Sequence, residues 1–130
     1  MTQIPQQLKY TEDHEWVRAE ADGSVVIGIT DHAQHQLGEL VYVELPDAGR
    51  TVTRGDAMAV VESTKAASDV YAPLAGVIVQ GNPALAGQPE LVNTDPYGEG
   101  WLVRLRPADA AAPAALLDSA AYTQLLAAED

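Results

Sequence analysis

Glu62-Ser63-Thr64-Lys65-Ala66-Ala67-Ser68-Asp69-Val70-Tyr71-Ala72-Pro73 sets two short strands against a run of small residues with one lysine in its middle. Residues 57–62, Ala-Met-Ala-Val-Val-Glu, are apolar and β-branched enough for a strand, and 68–71 supply a second. Between them 63–67 reads as a tight connection. The segment near 57–71 is therefore a β-hairpin with Lys65 at its tip. The chain has only two lysines, Lys9 and Lys65. An enzyme that modifies an amine needs one that stands clear of the fold with no bulky neighbours, and Lys65 meets that description. Taken alone, a hairpin lysine is most simply a surface residue that keeps a turn soluble.

Outward from this hairpin the pattern repeats. Short Val-rich runs lie between Gly and Pro punctuation at 10–17, 24–29, 40–45, 51–53, 77–80 and 101–106. Ala21-Asp22-Gly23 and Arg54-Gly55-Asp56 mark turns between them. Residues 30–37 predict one short helix, with Asp31 as its cap, Gln34 three residues on and Gly38 to end it. Residues 82–100 read as loop with one short helix, and the Ala-rich stretch 108–115, broken by Pro113, as a linker. A final helix is expected near 114–128, with Tyr122, Leu125 and Leu126 on one face. Many short strands with few helices predict a mainly β fold of the barrel-sandwich type, with a short internal helix and a C-terminal helix. Glycines at 49, 55, 76 and 87 flank the hairpin and suggest two similar halves packed face to face.

At 130 residues the chain fits one domain spanning 1–130. It contains no Phe, so Val, Leu, Ile and Ala must fill the core. The longest apolar runs, such as 57–61, are far too short to span a bilayer, and residues 1–10 show no targeting pattern, so a cytoplasmic location is expected. The net charge of −12 disfavours nucleic acid and anionic membranes as partners. It suits steering toward basic protein surfaces, although a generally solvated acidic surface would look the same. The absence of Cys removes disulfides, thiolate nucleophiles and thiolate metal ligands.

Few side chains suggest catalysis. A nucleophilic lysine needs burial or a neighbouring cation. Lys65 instead has Glu62 and Asp69 nearby, and at roughly 8 Å in water each would favour the ammonium by about 0.5 kcal/mol. Lys65 is thus an attachment point rather than a self-activated nucleophile. His14 and Glu15 could in principle serve a small hydrolase. His32 and His35 could be half of a metal site on one helix, but with no Cys they read as surface or capping residues, and no metal is expected. The serines lack a nucleophile-elbow setting, and no phosphate-binding Gly loop is visible. Trp16 and Trp101 read as core and rim packing.

Several blocks then point one way. The lysine segment resembles the lipoylation motif of glycine cleavage H-proteins. Tyr10-Thr11-Glu12-Asp13-His14-Glu15-Trp16-Val17 resembles that family's opening, and Gly28-Ile29-Thr30-Asp31-His32-Ala33-Gln34 with Leu37-Gly38 its next block. Val41-Tyr42-Val43-Glu44-Leu45-Pro46 follows, then Asn93 with Asp95-Pro96-Tyr97-Gly98-Glu99-Gly100-Trp101-Leu102. The order is the family's and covers nearly the whole chain. The family usually has Val where this chain has Thr64. Biotin carriers usually flank their lysine with Met, and dehydrogenase lipoyl domains place Asp directly before it; neither holds here.

The resemblance implies lipoic acid in amide linkage to Lys65, in a modification motif that includes Glu62, Ser63, Thr64 and Ala66. An arm of about a dozen single bonds, each projecting roughly 1.2 Å, reaches on the order of 12–15 Å. It would shuttle an aminomethyl group from glycine decarboxylase (P-protein) to aminomethyltransferase (T-protein). Dihydrolipoyl dehydrogenase (L-protein) would then reoxidise it. The implied carrier catalyses none of these steps and contributes tethering. A lipoate ligase or octanoyltransferase with lipoyl synthase would install the arm. The same lysine would also serve an H-like lipoate donor or acceptor in lipoyl relay. Because the cargo carries a cationic amine, Glu15 and Asp69, with Asp13, are expected to line a cleft that receives it.

Overall fold

Every residue of Val25–Ile29 is buried, because the strand they form is covered on both faces. The computed structural model describes residues 3–129. Its strands are β1 (Lys9–Tyr10), β2 (Glu15–Ala19), β3 (Val25–Ile29), β4 (Leu40–Glu44), β5 (Thr51–Val52), β6 (Ala57–Ser63), β7 (Ala67–Tyr71), β8 (Gly76–Gly81) and β9 (Val103–Pro107). The helices are α1 (Asp31–Leu37), α2 (Leu91–Thr94) and α3 (Ser119–Glu129), with single 3-10 turns at Pro83–Ala86 and Ala112–Ala115. One sheet has six strands in the order β1-β2-β3-β9-β8-β5; the other has three, β4-β6-β7. All pairings between these strands are antiparallel. The mainly β sandwich with a short internal helix and a C-terminal helix is as the sequence predicts. The two sheets are not the similar halves that the glycine spacing suggests.

Alternation along the strands explains the layers. Val25, Ile27 and Ile29 of β3 and Val103 and Leu105 of β9 meet Leu40, Val43, Met58, Val61 and Val70 from the smaller sheet. The other face of β3 turns Val26 toward Trp16, Leu8, Tyr10 and Tyr122, a second cluster that α3 closes with Leu125 and Leu126. Tyr10 and Tyr122 stack with ring centroids 4.6 Å apart. Trp16 is fully buried and donates from Nε1 to the Pro96 carbonyl at 2.9 Å, while Trp101 is only half-buried, as core and rim packing require. The Trp16 indole lies across from Gly28 on the neighbouring strand, where an added Cβ would fall 2.6 Å from the ring. Gly28→Ala should therefore cost about 2 kcal/mol by overpacking, read as a lower urea midpoint with an unchanged slope.

Three boundaries differ from the sequence expectation, each for a local reason. Helix α1 is capped by Thr30, whose hydroxyl accepts from the Ala33 amide at 3.2 Å. Asp31, the expected cap, accepts instead from the Gln34 side chain and the Gln3 amide. The C-terminal helix starts at Ser119 rather than 114. Pro113 sits in a single 3-10 turn, and Leu117 exchanges two backbone hydrogen bonds with Tyr10, so the chain stays extended until Asp118 accepts from the Ala121 amide. Residues 82–100 hold two short helical segments where one was expected.

Candidate functional site

Lys65 lies at the apex of the β6–β7 hairpin, in which Glu62 pairs with Ala67 and the Ser63 amide donates to the Ala66 carbonyl at 2.8 Å. Ser63 shapes the bend: its hydroxyl oxygen accepts from the amides of Lys65 and Ala66, at 3.1 and 3.2 Å. Thr64, Lys65 and Ala66 are exposed, and Glu62 and Ser63 are half-buried. The Lys65 ammonium donates to the Gln36 carbonyl at 3.2 Å, at the end of α1, where the free carbonyls favour a cation. Gly38 ends that helix with φ 83°, and a Cβ there would stand 3.2 Å from Lys65 Cε. Asn93 fixes this corner by donating to the Gly38 carbonyl and accepting from the Leu40 amide.

Gln36 is also one wall of a cleft of about 170 Å³ between α1, the turn before β2 and the hairpin. Ile29, Leu37, Val61 and Val70 give it an apolar floor, and Asp13, Glu15 and Asp69 give it an acidic rim. The three expected carboxylates are thus brought together, on three sequence-distant segments. They are not alike. Asp13 and Asp69 are exposed, whereas Glu15 is 2% exposed.

Glu15 shares the strand parity of Val17, which points it into the sandwich. One carboxylate oxygen accepts from the Thr11 hydroxyl at 2.8 Å and the other from the Tyr71 amide at 3.3 Å. Burial pushes its pKa from 4.5 up to about 7; the two hydrogen bonds pull it back, and Asp13 adds to the rise. A cation entering the cleft would therefore meet a carboxyl group that its own charge helps to ionise.

His14 and Glu15 do not assemble into a catalytic pair. His14 takes the left-handed conformation, φ 68°, and neither of its ring nitrogens bonds to Glu15. Its Nδ1 lies 2.8 Å from the Tyr122 hydroxyl and its Nε2 lies 3.4 Å from Glu129 Oε1. Burial holds this imidazole below its usual value, against the pull of the Glu129 carboxylate. His35 is exposed, and the partner of His32 is not His35 but the ring of His14, with centroids 4.8 Å apart. The sequence carried no signal for this grouping, because it joins residues 14, 32 and 129.

A β-sandwich that lifts one amine clear at a hairpin tip, next to an amphipathic cleft, is built to present a group rather than to transform one; it is a carrier domain. The family model described as Glycine cleavage H-protein matches residues 8–129. A glycine cleavage system H protein of Halorhodospira halophila is 62% identical over 129 residues, covering 99% of both chains. That of Alkalilimnicola ehrlichii is 55% identical over 130 residues and the full length of both. The crystal structure of a glycine cleavage system H protein from Mycobacterium marinum superposes with a TM-score of 0.86 at 42% identity, covering 95% of this chain and 99% of that one. The chain belongs to the glycine cleavage H-protein family, whose members are carriers and not enzymes.

Proposed function

We propose that the protein is the lipoyl-bearing carrier of a glycine cleavage system, with Lys65 as its attachment residue and residues 1–130 as a single carrier domain. The observation that carries this reading is the placement of Lys65. It is exposed at the hairpin apex, whereas Lys9, the other lysine, is half-buried in β1. A lipoyl group, when bound, supplies a disulfide that can take up a one-carbon unit and be regenerated. The residues present fit such a group. Ser63 holds the bend that exposes the amine, and Glu62, Thr64 and Ala66 leave it open to a lipoate ligase or octanoyltransferase working with lipoyl synthase. Acylation removes the positive charge that the end of α1 favours and leaves a single amide N–H to donate to the Gln36 carbonyl, so the modified side chain is held less tightly there.

Asp69 lies four residues along the hairpin from Lys65, at most about 13 Å at 3.3 Å per residue. That is within the arm's reach of roughly 12–15 Å. The apolar floor suits the arm's hydrocarbon, and Glu15, with Asp69 and Asp13 at the rim, suits a cationic cargo. In this reading Glu15 holds the ammonium while the floor limits water. The implied partners are the P-, T- and L-proteins of that system, reached through the exposed acidic surface of a chain with net charge −12. None of the helices among the described residues is long and apolar enough to cross a membrane.

Intact-mass analysis with peptide mapping, on protein from cells that make lipoate, tests the attachment. One lipoyl group should appear on the peptide holding Lys65 and none on that holding Lys9. An unacylated Lys65, or an adduct on Lys9 alone, would overturn the assignment.

A further inference from the structure

His14, His32 and Glu129 converge from three elements that the carrier reading leaves unconnected: the turn before β2, the first turn of α1 and the last residue of α3. One ligand atom from each lies within 4.8 Å of the other two. We propose that these residues form a divalent-metal site, best suited to Zn²⁺, that pins the end of α3 to the body of the protein.

Three observations carry this. The donor set is two imidazoles and a carboxylate, which Zn²⁺ accepts with a fourth position left to water. The spacing is close to what bonds of 2.0–2.1 Å demand, since the edge of such a tetrahedron is about 3.3 Å. His14 Nε2 and Glu129 Oε1 are already 3.4 Å apart, and His32 Nε2 lies 4.0 Å from the same oxygen. Glu129 is 42% exposed at a helix end, so a small rotation brings its carboxylate between the rings.

The second observation is that His32 Nε2 is closed off from solvent and has no hydrogen-bond partner. A buried ring nitrogen left unpaired calls for a ligand, and this one faces the carboxylate. Third, the other nitrogen of His14 is already committed. Its Nδ1 meets the Tyr122 hydroxyl, which in turn meets Thr30 Oγ1, each at 2.8 Å. With Nδ1–H donating to Tyr122, Nε2 presents its lone pair toward Glu129, the outer hydrogen bond that metal-bound histidines characteristically make. A simple ion pair would set the carboxylate against both rings but would still leave His32 Nε2 without a hydrogen bond.

The full-length chain with Lys65 unacylated, free of affinity-tag histidines and stripped with chelator, is the material for the test. It has no Cys, so no thiolate competes for the metal. Calorimetric titration with ZnCl₂ should show one equivalent bound with a Kd on the order of 1–10 µM. At a hundredfold excess over Kd the Tm should rise by about 10 °C. His32→Gln should weaken binding at least about 30-fold and Glu129→Gln about 10-fold, whereas His35→Ala, at an exposed residue outside the cluster, should bind like the parent. Glu129→Gln changes an exposed helix end, so it carries the test if His32→Gln fails to fold. No saturable binding by the parent below about 100 µM, or parent-like binding by Glu129→Gln, would overturn the proposal.

Discussion

Lys65→Arg should lower glycine-dependent NADH formation, in a system reconstituted with the P-, T- and L-proteins, by about 10²–10⁴-fold. That is the range over which tethering raises an effective concentration, and without an acylatable amine there is no tether. Arginine keeps the charge and can still donate to the Gln36 carbonyl, so the hairpin should fold as before. A parent-like Tm and circular dichroism spectrum would confirm that the loss is chemical. Retention of more than about a tenth of the flux would place the attachment elsewhere, since it falls far short of the tethering effect.

The second large effect concerns Glu15, and it reads on stability. Its pKa is about 7 in the folded chain against 4.5 for an ordinary glutamate. The folded value is the raised one. The favourable contribution is therefore complete below pH 4.5 and is lost as pH rises through about 7. A difference of roughly 2.5 pKa units corresponds to about 3 kcal/mol lost by pH 8 relative to a protonated or neutral side chain. Glu15→Gln mimics the protonated form and can still accept from the Tyr71 amide. It should be more stable than the parent by about 3 kcal/mol at pH 8 and nearly equal to it at pH 4. Urea unfolding at the two pH values measures this; parallel curves for parent and variant would refute it. The same variant, once loaded with its one-carbon cargo, should release formaldehyde faster if Glu15 holds the ammonium. Release at the parent rate would leave Glu15 a structural acid.

The hairpin was legible because its signal is local: two β-branched runs, a bend of small residues and one lysine. The packing face of α3 was legible for the same reason, since Tyr122, Leu125 and Leu126 recur at helical spacing. The inward aim of Glu15 could have been read from its parity with Val17. What the sequence hid was settled by distant contacts. Thr30 caps α1 because Asp31 is occupied by Gln34 and Gln3, and the start of α3 is delayed because Leu117 pairs with Tyr10. Nothing near His32 reveals that its neighbour is His14 and not His35. Nor does glycine spacing reveal that β5 and β8 join the larger sheet, which depends on register and not on turns.

The pairing of Tyr10 with Leu117 also covers an edge on which copies of the chain could join. β1 is the outer strand of the six-stranded sheet, and an uncovered outer strand is a template on which a second chain can extend the sheet. Leu117 occupies those hydrogen bonds. Whatever loosens the segment ahead of α3 opens a route to self-association well away from Lys65.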